Sequence, residues 1–236
     1  IGDYLMGKSK DLATGAAYQD QTESDTRYVN TAGDTMTGAL NINAENTKIS
    51  HSTNHLILHD TSETDTGSNW WYMYRTAGDG KLRFYRGGSD RLTLDGSGRV
   101  TTPNQPSFYA YTTSDYTATG NLTGGNKWGE RWDTGNNFSD GIFTAPVAGK
   151  YYFEVMWDAN SIRSTIDIQV NGTGVVRYEP TGRTDDTWET HFYSGLVNLA
   201  ANDAVRLYGN MHSQSSSYPF HMGSGLWGHF AGFLIG

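Results

Sequence analysis

The sequence predicts an all-β protein whose residues 107–236 close into a jelly-roll sandwich, and three observations carry that reading. Gly is abundant, at 29 of 236 residues, while Pro is scarce at 5, aromatics reach 13% and charged residues only 18%; this profile suits short strands and many turns. In the run 150–157, Tyr151, Phe153, Val155 and Trp157 alternate onto one face, the period of a strand. The runs 141–145 and 150–157 flank a P-V-A-G segment at 146–149. Pro cannot donate to a sheet ladder and Gly accepts positive φ, so the chain reverses there, as at the corner of an antiparallel sheet.

Within 107–236, strand-like segments recur at 108–111, 142–145, 151–157, 165–170, 175–178, 191–199, 205–208 and 229–235. Eight strands of this size suit a jelly roll. Phe153, Trp157, Ile166, Ile168, Val170, Val205 and Leu207 fall at alternating positions and read as core or subunit-interface packing. Upstream, residues 44–106 form a small β module and linker, with strand-like pieces at 56–58, 70–74, 82–85 and 91–94 and turn signals at Asp79-Gly80 and Asp95-Gly96. Pro103 and Pro106 stiffen the connection and place a boundary at 102–106. Residues 1–43 are polar and Gly-dotted with no sustained period, and such a segment needs partner chains to bury its few apolar residues.

Several function classes are disfavoured by composition. The formal net charge is -8 with no basic cluster, which argues against nucleic acid, because phosphate binding needs clustered Lys and Arg. There is no apolar run of transmembrane length, so no membrane insertion is expected. Cys is absent, leaving no disulfide framework or thiolate chemistry. The chain opens on Ile1 rather than Met, as a piece of something longer would. No paired-carboxylate or Ser-His constellation and no G-x-S-x-G motif stands out. The expectation is a binding protein, not an enzyme, with no cofactor.

Two passages then resemble known families. G-D-T-M-T-G-A-L-N-I at 33–42 resembles the repeat found in tail fibres of tailed bacteriophages, and L-T-L-D-G-S-G-R-V-T-T-P at 92–103 looks like the stretch leading from a shaft module into a terminal one. F-T-A-P-V-A-G-K-Y-Y-F at 143–153 resembles the signature of the complement C1q and tumour-necrosis-factor-like trimeric jelly rolls. W-D-T-G at 132–135, the segment 167–170 with Asn171-Gly172, and F-A-G-F-L at 230–234 match further landmarks of that fold in order. The chain lacks any collagen-like Gly-X-Y stretch. Together the resemblances imply an extended trimeric fibre segment at 1–43, the β module at 44–106 and a C1q/TNF-like jelly-roll head at 107–236. They also imply a homotrimer on the virion, joined to other tail proteins, that adsorbs to a host-surface glycan or protein receptor. The alternative is a structural trimerisation or capping head, with receptor binding elsewhere.

Loop lengths sort the candidate site. Short connections at 146–149, 171–174 and 200–204 fall at the end where residue 107 enters; the longer polar ones at 114–126, 158–164, 180–187 and 210–228 fall at the other. Long polar loops on a rigid scaffold are where binding usually resides. There Trp188 and Tyr218 offer rings that stack on a sugar face, while Asp185, Asp186, Asn210 and His212 offer hydrogen bonds to hydroxyls. A loop anchored by its own buried Trp explains Trp188 equally well. His51, His55 and His59, spaced by four, could form an axial metal site in a trimer, but axis-packing or surface His is the plainer reading and no metal is expected. The sequons at Asn121, Asn137 and Asn171 are read as chance.

Overall fold

The computed structural model describes residues 55–58, 70–76, 78–159, 164–179, 189–211, 220, 222–225 and 227–236. The expected fibre segment, 1–43, lies outside the described residues. Those described form sixteen strands and one 3-10 turn at Gly223–Gly225.

The first sheet is an antiparallel meander of β1 (His55–Leu58), β2 (Trp71–Arg75), β3 (Leu82–Arg86), β4 (Ser89–Leu94) and β5 (Val100–Thr101). The turn after β4 forms because Asp95 Oδ1 accepts the N–H groups of Ser97 and Arg99 at 2.9 and 3.0 Å, an Asp-capped turn. Tyr85 meets Tyr72 and Tyr74 edge to face at 5.9 and 6.1 Å between ring centroids, a favoured aromatic arrangement. Strand β5 escaped the sequence reading because two residues are too few to show alternation.

The remaining strands are β6 (Ser107–Thr112), β7 (Gly120–Asn121), β8 (Trp128–Asp133), β9 (Phe138–Ser139), β10 (Ile142–Thr144), β11 (Gly149–Ala159), β12 (Ser164–Val170), β13 (Thr173–Tyr178), β14 (Glu189–Leu199), β15 (Ala204–Met211) and β16 (Gly228–Leu234). They make two sheets, β14-β11-β16-β6-β8 and β13-β12-β15-β10-β9, with β7 also paired to β15. Counting only the eight strands expected from sequence, the orders are 6-3-8-1 and 5-4-7-2 in chain succession. Two interleaved four-stranded sheets of this kind are a jelly roll. β8 was missed because a bulge opposite Tyr109/Ala110 breaks its alternation.

One expectation needs correcting. The segment 146–149 does not join neighbours in one sheet: β10 pairs with β15 and β9, whereas β11 pairs with β14 and β16. The chain crosses from one sheet to the other there, an arch held by the Tyr151 hydroxyl donating to Val147 O at 2.9 Å.

The core lies between the sheets. Phe108 stacks on Phe138 and Phe143, each at 4.9 Å, and meets Phe230 at 5.0 Å. Phe153, Trp157, Ile166, Ile168, Val205 and Leu207 are wholly buried, while Val170 packs at the margin. Each such side chain contributes about 1.5–3 kcal/mol through burial.

Register separates two ends. At the near end, Asn171 Nδ2 donates to Asp203 Oδ1 at 2.8 Å and Asn171 Oδ1 accepts Ala204 N–H at 2.9 Å, while Asn202 N–H donates to Ala145 O at 2.7 Å. These bonds tie the three short connections together. The linker is fastened on both sides, by Asn104 Nδ2 donating to Asp90 O at 2.8 Å and Gln105 Nε2 donating to Leu234 O. At the far end, Thr112 faces Trp128, Ala159 faces Glu189 and Ser164 faces Met211.

Candidate functional site

The outward face of the β14-β11-β16-β6-β8 sheet departs most from what an exposed surface requires. A solvated antiparallel sheet face should be polar. Along β11, Tyr151, Phe153, Val155 and Trp157 point into the core, so alternation turns Tyr152, Glu154 and Met156 outward. On β16 the same logic presents His229, Ala231 and Phe233, because Phe230 is core. β14 adds Phe192 and Leu196, 55% and 68% exposed, and β8 adds Trp132, 52% exposed.

These side chains organise one another. Tyr152 and Phe233 lie 5.3 Å apart and Tyr109 and Trp132 5.0 Å apart, between ring centroids. Between those two aromatic walls runs a groove of about 300 Å³, floored by Ala231 and Gly232, with Glu154 on its lining. Glu154 Oε1 lies 3.1 Å from His229 Nε2, and the His229 ring stacks on Tyr109 at 5.0 Å. Arg131 extends the same surface, its guanidinium 5.3 Å from the Tyr111 ring. Apolar rings surrounding one acid–base pair form a surface suited to close protein contact, where aromatics and Arg are enriched.

This face was legible only in part. Of the two readings for the face at 151, 153, 155 and 157, core or subunit interface, the structure shows core; the complementary positions Tyr152 and Met156 carry a second signal. An antiparallel strand with one face in solvent ordinarily carries polar residues there, and Tyr152 and Met156 depart from that pattern on either side of Glu154. His229 is buried against Tyr109 and paired with Glu154.

Most sequence-selected receptor residues, Trp188, Tyr218, Asp185, Asp186 and His212, lie outside the described residues, as do His51 and His59. Asn210 is not in a loop: it is half-buried within β15, opposite Thr165. Its pairing extends the strand because β12 continues alongside it as far as Ser164. His55 opens β1 opposite Tyr74. No cluster of three or more His, Cys, Asp or Glu suited to a metal occurs among the described residues.

Beneath the far end, Trp157, Tyr178, His191 and Tyr193 form a ring cluster, with Trp157 5.0 Å from His191 and 5.8 Å from Tyr193. The Tyr193 hydroxyl donates to Ile166 O at 3.2 Å, and its pKa is raised by burial and then by the charge of Asp167. Burial lowers the pKa of His191 against the opposing pull of Glu189 and Asp158. The ring cluster joins the ends of β11, β13 and β14 there.

No protein-family model and no curated protein matches the sequence. Among solved structures, the globular domain of zebrafish complement 1qA is similar at 16% identity and TM-score 0.44, with 56% of this chain and 98% of that one covered. Murine APRIL at pH 5.0 is similar at 9% identity and TM-score 0.43, covering 56% and 99%. The Eiger TNF of S. frugiperda is similar at 8% identity and TM-score 0.42, covering 56% and 94%.

Proposed function

We propose that this chain is the distal part of a bacteriophage tail fibre, a homotrimer whose jelly-roll head attaches the virion to a glycan or protein on the host surface. The observation that carries the reading is the division of the head into three surfaces with different work. The near end is fastened to the linker by Gln105. The outward face of the β14-β11-β16-β6-β8 sheet is aromatic where solvent would favour polar side chains, which supports association with two further copies. At the far end, strands β11, β12, β14 and β15 reach Ala159, Ser164, Glu189 and Met211, beside the long polar connections expected from the sequence, which supports recognition at that end. The fibre-like passages at 33–42 and 92–103 support the phage assignment.

The aromatic face equally favours a narrower reading, in which the head only locks trimerisation and another protein binds the receptor. Fluorescently labelled full chain, incubated with a panel of bacterial strains and their purified envelope glycans, separates the two. Saturable binding to a subset of strains, lost when 212–219 is replaced by a Gly-Ser linker in a chain that stays trimeric, is the expected result. A stable trimer that binds no strain supports the locking role. Release of saccharide from the envelope would instead indicate a depolymerase.

A further inference from the structure

The β1–β5 sheet is a single layer whose two faces differ in chemistry. Register places Leu56, Met73, Phe84 and Leu92 in one row across four strands. Leu82, Leu94 and Val100 make the adjoining row. Side chains two apart on a strand share a face, so the two rows, with Trp71 beside Met73, form one apolar surface. The opposite face carries Tyr72, Tyr74, Arg83, Tyr85 and Asp90. There Arg83 Nε lies 3.0 Å from Asp90 Oδ2, and the Arg83 guanidinium lies 5.8 Å from the Tyr74 ring. Paired charges and tyrosines suit contact with water; Leu, Met, Phe and Trp do not.

A sheet that is apolar on one face packs that face against a second layer. The described residues supply none. No described apolar side chain of the module is buried, and Trp71, Phe84 and Val100 are 39%, 37% and 61% exposed. Four strands about 4.8 Å apart, each about five residues long at roughly 3.4 Å per residue, give the face a footprint of roughly 300 Å² before its side chains project from it. That is the scale of the patches through which proteins associate. At the margin the Arg86 guanidinium lies 5.7 Å from the Trp71 ring, and aromatics with Arg are enriched at protein contacts.

Two features of the chain select what covers the face. Residues 1–43 are polar with no sustained apolar period, too few apolar side chains to lay a second layer over the sheet. The linker between β5 and β6 is only 102–106, and it is fastened to Asp90 O by Asn104 and to Leu234 O by Gln105. Five residues reach at most about 18 Å, so heads that associate hold their modules side by side at high effective concentration. The apolar surface nearest each module is then its own equivalent on the next copy. We propose that the β1–β5 sheet is a second subunit contact of the homotrimer, in which three copies turn the Phe84 face inward around the axis and build together the core that one module lacks. This contact rests on the homotrimer reading above and adds to it a surface outside the head.

Because the chain has no Cys, one introduced thiol takes a nitroxide label without competition. Val100 and Thr101 are consecutive in β5, both exposed, and alternate to opposite faces. In the full chain, double electron–electron resonance should give shorter distances between copies for labelled Val100→Cys than for labelled Thr101→Cys. Phe84→Glu should raise the dissociation constant of the full-chain trimer by about tenfold or more in sedimentation equilibrium, the scale of losing one aromatic anchor, while Thr101→Glu leaves it unchanged. Equal or reversed label distances in a trimeric chain, or a trimer indifferent to Phe84→Glu, would overturn the module contact and leave the head contact standing. An unsubstituted full chain that sediments as a monomer would overturn the homotrimer reading and this contact with it.

Discussion

His191 shows how a single side chain couples acidity to stability in this fold. Buried against Trp157 and 3.5 Å from the Tyr178 hydroxyl, it resists protonation and its folded pKa falls below that of the unfolded chain. The unfolded chain therefore binds the proton more readily. The stabilisation is present above about pH 6.5, the ordinary His value, and is lost as pH falls through the folded pKa. Tm should drop on acidification below pH 6.5, and His191→Phe should flatten that part of the profile in differential scanning calorimetry. Gly232 tests packing at the same scale. A Cβ there would come within 2.6 Å of the Phe153 ring and 2.9 Å of the Phe108 ring, so Gly232→Ala should destabilise by about 1–3 kcal/mol through overpacking, read from urea unfolding.

At the scale of elements, the β12–β13 hairpin turns on Asn171-Gly172, at φ +51° and +87°, the mirror-image geometry that a two-residue loop needs to match strand twist. In the sequence the dipeptide stands only as a landmark of the jelly-roll resemblance. Its second task is not legible there, because it depends on Asp203 and Ala204 arriving alongside from β15. Asn171→Ala removes both side-chain bonds and strains the backbone, so a loss of about 1–3 kcal/mol is expected in chemical denaturation. Asn171→Gly, which relieves the strain, should recover part of it. β8 and β9 illustrate the opposite limit, since a bulge and a two-residue length erase the periodicity by which strands are recognised in sequence.

At the scale of the whole molecule, the aromatic sheet face must be covered or remain exposed at a cost to solubility. Phe233→Glu places a charge beside Tyr152 and Glu154 on that face. If the proposed trimer uses this face, the head 107–236 with Phe233→Glu should run as a monomer by light scattering on gel filtration, while the buried core keeps its far-UV signature; a variant head that stays trimeric would place the subunit contacts elsewhere. What the sequence by itself determined was the β class, the eight principal strands and their inward side chains, because alternation and turn chemistry are local and survive without neighbours. Only the tertiary structure decided that 146–149 crosses between sheets, that Asn210 lies in a strand, that His229 meets Glu154, and that Leu56, Met73, Phe84 and Leu92 share one sheet face. Each of these depends on which strands become neighbours. In a jelly roll, strands adjacent in sequence are often placed in opposite sheets, so such pairings are long-range and leave no local period to read.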